Sequence, residues 1–82
     1  MTTFTVYSRT GCHLCELMIE ALLPLIRGRA ELDVVDIDTI PALRDKYDIR
    51  VPVLALGDRE ICEYHLDPAA VEAVIPEVRS GA

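Results

Sequence analysis

Two cysteines, Cys12 and Cys15, stand in the stretch "YSRTGCHLCE", just ahead of an apolar run. A third, Cys62, lies in "EICEYHLD", with His65 three positions after it. A C-x-x-C pair can clamp a metal, staple a chain, or trade electrons with other thiols. The thiolate, not the thiol, is the nucleophile and the metal ligand, so the surroundings of the pair decide among these chemistries.

The elements that must position the pair follow from the pattern of residue types. "TFTVYS" (3–8) is rich in β-branched and aromatic residues and reads as a strand. Leu14, Leu17, Met18, Ala21, Leu22 and Leu25 recur at steps of three and four, which predicts an amphipathic helix beginning near Cys12 or His13 and stopping by Gly28. Pro24 falls inside it, where it removes one helical hydrogen bond and is expected to kink the last turn. "ELDVVDID" (31–38) is a second strand, so nearly the first half of the chain is a βαβ unit with parallel strands and a right-handed crossover. A short helix is expected from Thr39 or Ile40 to Tyr47, with Pro41 in its first turn. "VPVLAL" (51–56) is a third strand, Gly57-Asp58 a hairpin turn, and "REIC" (59–62) a fourth, edge strand. Asp67 caps a last helix with Pro68 at its first position and a buried stripe of Val71, Val74, Ile75 and Val78, interrupted by Pro76. The fold class is α/β, in the order β-α-β-α-β-β-α. Parallel strands come first and a hairpin second, so a mixed sheet with helices on its faces is expected.

Cys12 then lies where the first strand hands over to the first helix, at the end of the sheet where ligands bind in open α/β folds. Unpaired N–H groups and the helix dipole favour an anion there. Arg9 adds to that, as does His13 when protonated, while Glu16, one turn further on, opposes it. Cys15 is one turn behind Cys12, which places the two Cβ atoms about 5–6 Å apart, close enough for a disulfide after a small adjustment. The expected mechanism is attack by the exposed Cys12, a mixed disulfide, and resolution by the shielded Cys15. Val51-Pro52 opens the strand expected beside the first one. From local sequence a trans peptide is favoured there; a cis bond would aim a free backbone edge at Cys12, fit to hold an extended thiol-bearing peptide.

Size and composition bound the alternatives. The 82 residues make one small domain spanning 1–82, and with 51% hydrophobic and 27% charged residues the chain is neither disordered nor membrane-spanning in composition. "MTTFTVYSRT" shows no basic segment leading into a long apolar run, so a cytoplasmic protein is expected, where structural disulfides are rare. A formal charge of −6 with acids spread along the chain argues against nucleic acid, which needs clustered Lys and Arg. No membrane is expected as a partner either, and the protein is expected to be a monomer.

Taken together, "VYSRTGCHLC", the βαβ unit, "RVPVL" ahead of a hairpin and the closing helix resemble glutaredoxin, within the thioredoxin-like fold, over essentially the whole chain. The resemblance implies a four-stranded mixed sheet of order 2-1-3-4, with helices on both faces and the first and third helices sharing one of them. It implies a thiol–disulfide oxidoreductase with Cys12 as nucleophile and Cys15 as resolving thiol, acting on a disulfide-bearing protein or a small thiol. It also implies a cis peptide at Val51-Pro52 that binds substrate backbone, and a role for Arg9 in holding the carboxylate of glutathione. No cofactor is expected, with glutathione the candidate co-substrate. Two departures stand out. His13-Leu14 replaces the family's usual Pro-Tyr between the cysteines, and Cys62-Glu63 replaces a Gly-Gly pair, bringing bulk and a negative charge toward an anionic tripeptide. By position, Cys62 could lie beside the bound thiol as a third redox cysteine; otherwise it is a small edge-strand hydrophobe. Two rival functions remain: a zinc or iron–sulfur module using Cys12, Cys15, Cys62 and His65, and a non-catalytic docking domain.

Overall fold

The computed structural model describes residues 2–75. The predicted Val78 and Pro76 positions lie outside these residues. The chain forms β1 (Thr3–Ser8), α1 (His13–Ile26), β2 (Glu31–Asp36), α2 (Pro41–Tyr47), β3 (Val53–Leu56), β4 (Arg59–Glu63) and α3 (Pro68–Val74), with single 3-10 turns at Ile37–Thr39 and Asp48–Arg50. The strands make one sheet of order β2-β1-β3-β4. β1 runs parallel to β2, with Val6 opposite Val34, and antiparallel to β3, with Val6 opposite Leu54. This is the expected mixed α/β sheet.

Alternation along β1 divides the molecule. Phe4 and Val6 point to one face, where Met18, Leu22 and Ile26 of α1 and Val71 and Ile75 from the third helical segment close over them and Leu54. Tyr7 and Val53 point to the other face and pack with Tyr47 from the end of α2. α1 and α3 thus share a face, and α2 covers the opposite one.

The structure corrects the apolar stripe of α1. Its buried residues are Cys15, Met18, Leu22 and Ile26, whereas Leu14 and Leu17 are exposed at 36% and 45%. The helix is apolar nearly all round, so spacing alone fits more than one stripe; the face chosen is the one that carries Cys15 inward. α1 continues through Pro24 to Ile26 and ends where Gly28 takes φ +74°, a left-handed conformation that lets the chain reverse into β2.

Two strand ends also differ from expectation. β2 stops at Asp36 because the Asp36 carboxylate accepts from the Asp38 N–H at 2.9 Å and its carbonyl accepts from the Thr39 hydroxyl at 2.8 Å, which winds the next residues into a turn. β3 begins at Val53, leaving Val51 and Pro52 as a buried lead-in. In β4 the register slips: Leu54 faces Cys62 and Ala55 faces Glu60, so Ile61 is the extra residue of a bulge. Broken alternation lets Ile61 and Cys62, adjacent in sequence, both pack against the α1–α3 core.

Candidate active site

Cys12 is the N-cap of α1, in extended conformation, and its sulfur accepts the Cys15 backbone N–H at 3.2 Å. Thiolate or disulfide sulfur therefore takes the place that Ser or Asp oxygen occupies at ordinary helix starts. The turn ahead of it is closed by the Cys12 N–H donating to the Arg9 carbonyl at 3.3 Å, with Gly11 at φ +78°. Cys12 and Cys15 are disulfide-bonded, with Cα atoms 5.2 Å apart. Cys12 is half-buried, and Cys15 is buried at 2% exposure. One sulfur of the pair is thus open to a partner and the other is sheltered.

The two cysteines belong to a second apolar cluster with Ile37, Tyr47, Val51 and Val53, flanked by Tyr7 and Leu43. The Tyr7 and Tyr47 rings stack at 4.4 Å between centroids. Burial, together with the neighbouring Tyr47 phenol, pushes the Tyr7 hydroxyl above the ordinary phenol range, so it stays protonated.

Val51-Pro52 is a cis peptide, as the family resemblance implied and local sequence did not. Both residues are buried, and the Pro52 carbonyl accepts the Tyr64 N–H at 2.9 Å, tying this lead-in to the end of β4. Tyr64 itself sits at φ +67° just after Glu63, a backbone reversal that no Gly or Asn announces.

Arg9 and Arg50 are each committed to neighbouring carboxylates. Arg9 makes a bidentate pair with Asp38, at 2.8 and 3.2 Å, and its remaining Nη1 donates to the Asp48 carboxylate and carbonyl, each at 3.3 Å. The hydrogen bond to Arg9 holds the Asp38 carboxyl below its usual range. Arg50 donates from Nε to Glu63 at 3.0 Å and from Nη2 to Glu60, and its guanidinium lies over the Tyr47 ring, 5.5 Å from the centroid. Glu63, read from the sequence as a loose negative charge, is therefore an ion-pair partner. His13 is the exposed first residue of α1.

Cys62 belongs to the other core cluster. It is a free thiol packed against the α1–α3 core, whereas Cys12 and Cys15 sit in the cluster around Tyr47. Burial pushes its thiol above the ordinary range, an Asp67 backbone N–H only partly opposing this. Among the described residues, no three His, Cys, Asp or Glu side chains converge in a way that could hold a metal ion, so Cys62 and His65 do not join Cys12 and Cys15 in a ligand set. Glu60 and Asp48 carry no sequence signal that would place them in this neighbourhood. The only sequence signal for Arg50 was its position just ahead of Val51-Pro52.

A four-stranded sheet of this order, with a C-x-x-C disulfide at the start of α1 and a cis-proline beside it, defines a thioredoxin-fold redox protein. The model of the glutaredoxin-like domain family (DUF836) matches residues 3–76, and the chain belongs to that family. It is similar to the structural-genomics target XcR50 from X. campestris, with 38% identity over 85% of this chain and 91% of that one and a TM-score of 0.66. In fold it is also similar to oxidized mitochondrial thioredoxin 3 from Saccharomyces cerevisiae (21% identity, 94% and 78% of the chains, TM-score 0.62). A thioredoxin mutant from Halobacterium salinarum is similar to the same degree (21% identity, 90% and 71% of the chains, TM-score 0.61). No curated protein matches the chain significantly. No helix among the described residues is long and apolar enough to cross a membrane.

Proposed function

We propose that the protein is a thiol–disulfide oxidoreductase in which Cys12 is the attacking residue and Cys15 the resolving one. The reduced Cys12 thiolate attacks one sulfur of a substrate disulfide, forms a mixed disulfide and releases the other sulfur as a thiolate. Cys15 then attacks the Cys12 sulfur, closes the Cys12–Cys15 bond and releases the second substrate thiolate. The substrate gains two electrons, the protein loses two, and a dithiol donor or the reverse reaction resets the pair.

The observation that carries this is the geometry of the pair. The Cys12 sulfur caps the helix and accepts the Cys15 N–H at 3.2 Å, while the Cys15 side chain is buried one turn behind. A buried resolving thiol cannot be captured by solvent reagents, yet it needs little movement to reach the mixed disulfide. Membership of the glutaredoxin-like family supports the same chemistry.

Val51, a member of the cluster around the pair, and the adjoining buried Pro52 are the segment along which an incoming peptide would lie. Arg9 acts here through Asp38 and Asp48, fixing the turn that delivers Cys12, and the exposed His13 faces the approaching partner. The test is a pair of variants. Cys12→Ser should abolish reduction of a small disulfide, and Cys15→Ser should accumulate mixed disulfides at Cys12 detectable by mass. Full activity in Cys12→Ser would rule the mechanism out.

A further inference from the structure

Resting on this thiol-exchange reading, we propose that the site selects substrates by charge, taking disulfides with neutral or cationic surroundings and discriminating against those with carboxylates near the sulfur, glutathione disulfide included. Two arginines are tied to the segments that hold the pair. Arg9 is joined to Cys12 through the turn hydrogen bond from the Cys12 N–H to the Arg9 carbonyl. Arg50 directly precedes Val51-Pro52 and lies over Tyr47, a member of the cluster that holds Cys15.

Each is outnumbered. Arg9 meets Asp38 and Asp48, with Nε, Nη1 and Nη2 all donating to their oxygens. Arg50 meets Glu60 and Glu63. Both trios are therefore net anionic, where an unpaired arginine would have offered a substrate carboxylate a bidentate site. Glu16, exposed in the first turn of α1, adds a further carboxylate. Lys46, 5.2 Å from the Tyr47 ring centroid, and Arg44, whose charge acts on Asp38, are the further cations here, and with Arg9 and Arg50 they still fall one short of the five carboxylates Glu16, Asp38, Asp48, Glu60 and Glu63. The formal charge of the whole chain, −6, acts in the same direction. Glutathione brings two carboxylates and one ammonium, so each half of its disulfide approaches as an anion.

The mechanism of exchange is unchanged by this. Glu60 and Glu63 are specificity-determining residues that act through Arg50, and they do not touch the reacting sulfurs.

The test uses the pre-reduced full chain in single-turnover reactions with three disulfides: cystamine (cationic), hydroxyethyl disulfide (neutral) and glutathione disulfide (anionic). Each rate is divided by the rate of dithiothreitol, an uncharged dithiol, with the same disulfide, which removes differences in leaving group. The normalised rate for glutathione disulfide should fall about tenfold or more below that for hydroxyethyl disulfide at low salt, and the gap should close toward ~1 M salt as screening shortens to about 3 Å. In Glu60→Gln/Glu63→Gln, the anionic-to-neutral ratio should rise about tenfold as Arg50 becomes available. An anionic-to-neutral ratio at or above one in the unmodified protein, or a low ratio that salt does not move, would overturn charge selection while leaving the redox reading intact. Failure to reduce any of the three would overturn the redox reading and the selection with it.

Discussion

The backbone N–H of Cys15 points at the sulfur of Cys12 across 3.2 Å. The contact adds to the disulfide that joins the two residues. Each extra unit of negative charge on the Cys12 sulfur strengthens that hydrogen bond and is favoured by the N-terminal dipole of a 14-residue helix. The residue that donates the bond is also the one proposed to resolve the intermediate. Its side chain begins the buried stripe of α1, so the packing that anchors the helix also sets the distance between the cysteines.

That packing is directly testable. Leu22→Ala, at a fully buried position between α1 and β1, should lower unfolding free energy in urea by about 2–5 kcal/mol, a large share of the stability of a small domain. Leu17→Ala, on the exposed side of the same helix, should stay within about 0.5 kcal/mol. Equal losses at the two positions would mean that the helix is rotated from the orientation described.

The βαβ unit, the hairpin and the place of Cys12 at a helix start were all legible in the sequence, because β-branched runs, three-and-four spacing and proline positions are local signals; the full strand order came with the family resemblance. The rotation of α1 was not, since a helix with Leu14, Leu17 and Leu23 facing outward is apolar on several sides and only packing against Phe4 and Val6 chooses among them. Ion pairs were equally hidden. Arg9 finds Asp38 across 29 positions and Asp48 across 39, and Arg50 finds Glu63 across 13, so Arg9 read as a free cation and Glu63 as a free anion. The cis peptide at Val51-Pro52 came only from family resemblance, because local sequence favours trans. The bulge that turns both Ile61 and Cys62 toward the core left no mark in residue types.

The turn that delivers Cys12 depends on Gly11. With φ at +78° and open space where a Cβ would stand, a substitution there meets backbone strain and no clash. Gly11→Ala should therefore cost about 1 kcal/mol, and Gly11→Asn less, since Asn tolerates the left-handed region. Urea denaturation of both variants checks this; no loss in Gly11→Ala would contradict it.

Acid should loosen the same turn. The Asp38 carboxyl is held below its usual range, first by the hydrogen bond from Arg9. A carboxylate whose folded pKa is depressed stabilises the fold fully above its unfolded value, about 3.9, and that contribution disappears as pH falls through the lower folded value. Melting temperature followed from pH 6 to pH 2 should fall less steeply below about pH 4 in Asp38→Asn than in the unmodified protein. Parallel acid limbs would show that the Arg9–Asp38 pair adds nothing to stability.

The most direct measurement of the central claim, an activated thiol at the helix tip, is the pH dependence of alkylation of the reduced protein, with the modified residue located by mass. Cys12 should react with a midpoint at least about one unit below the free cysteine value of ~8.5. Cys62, whose thiol burial pushes upward, should label only at higher pH. A Cys12 midpoint at or above the free value, or labelling of Cys62 ahead of Cys12, would contradict the account.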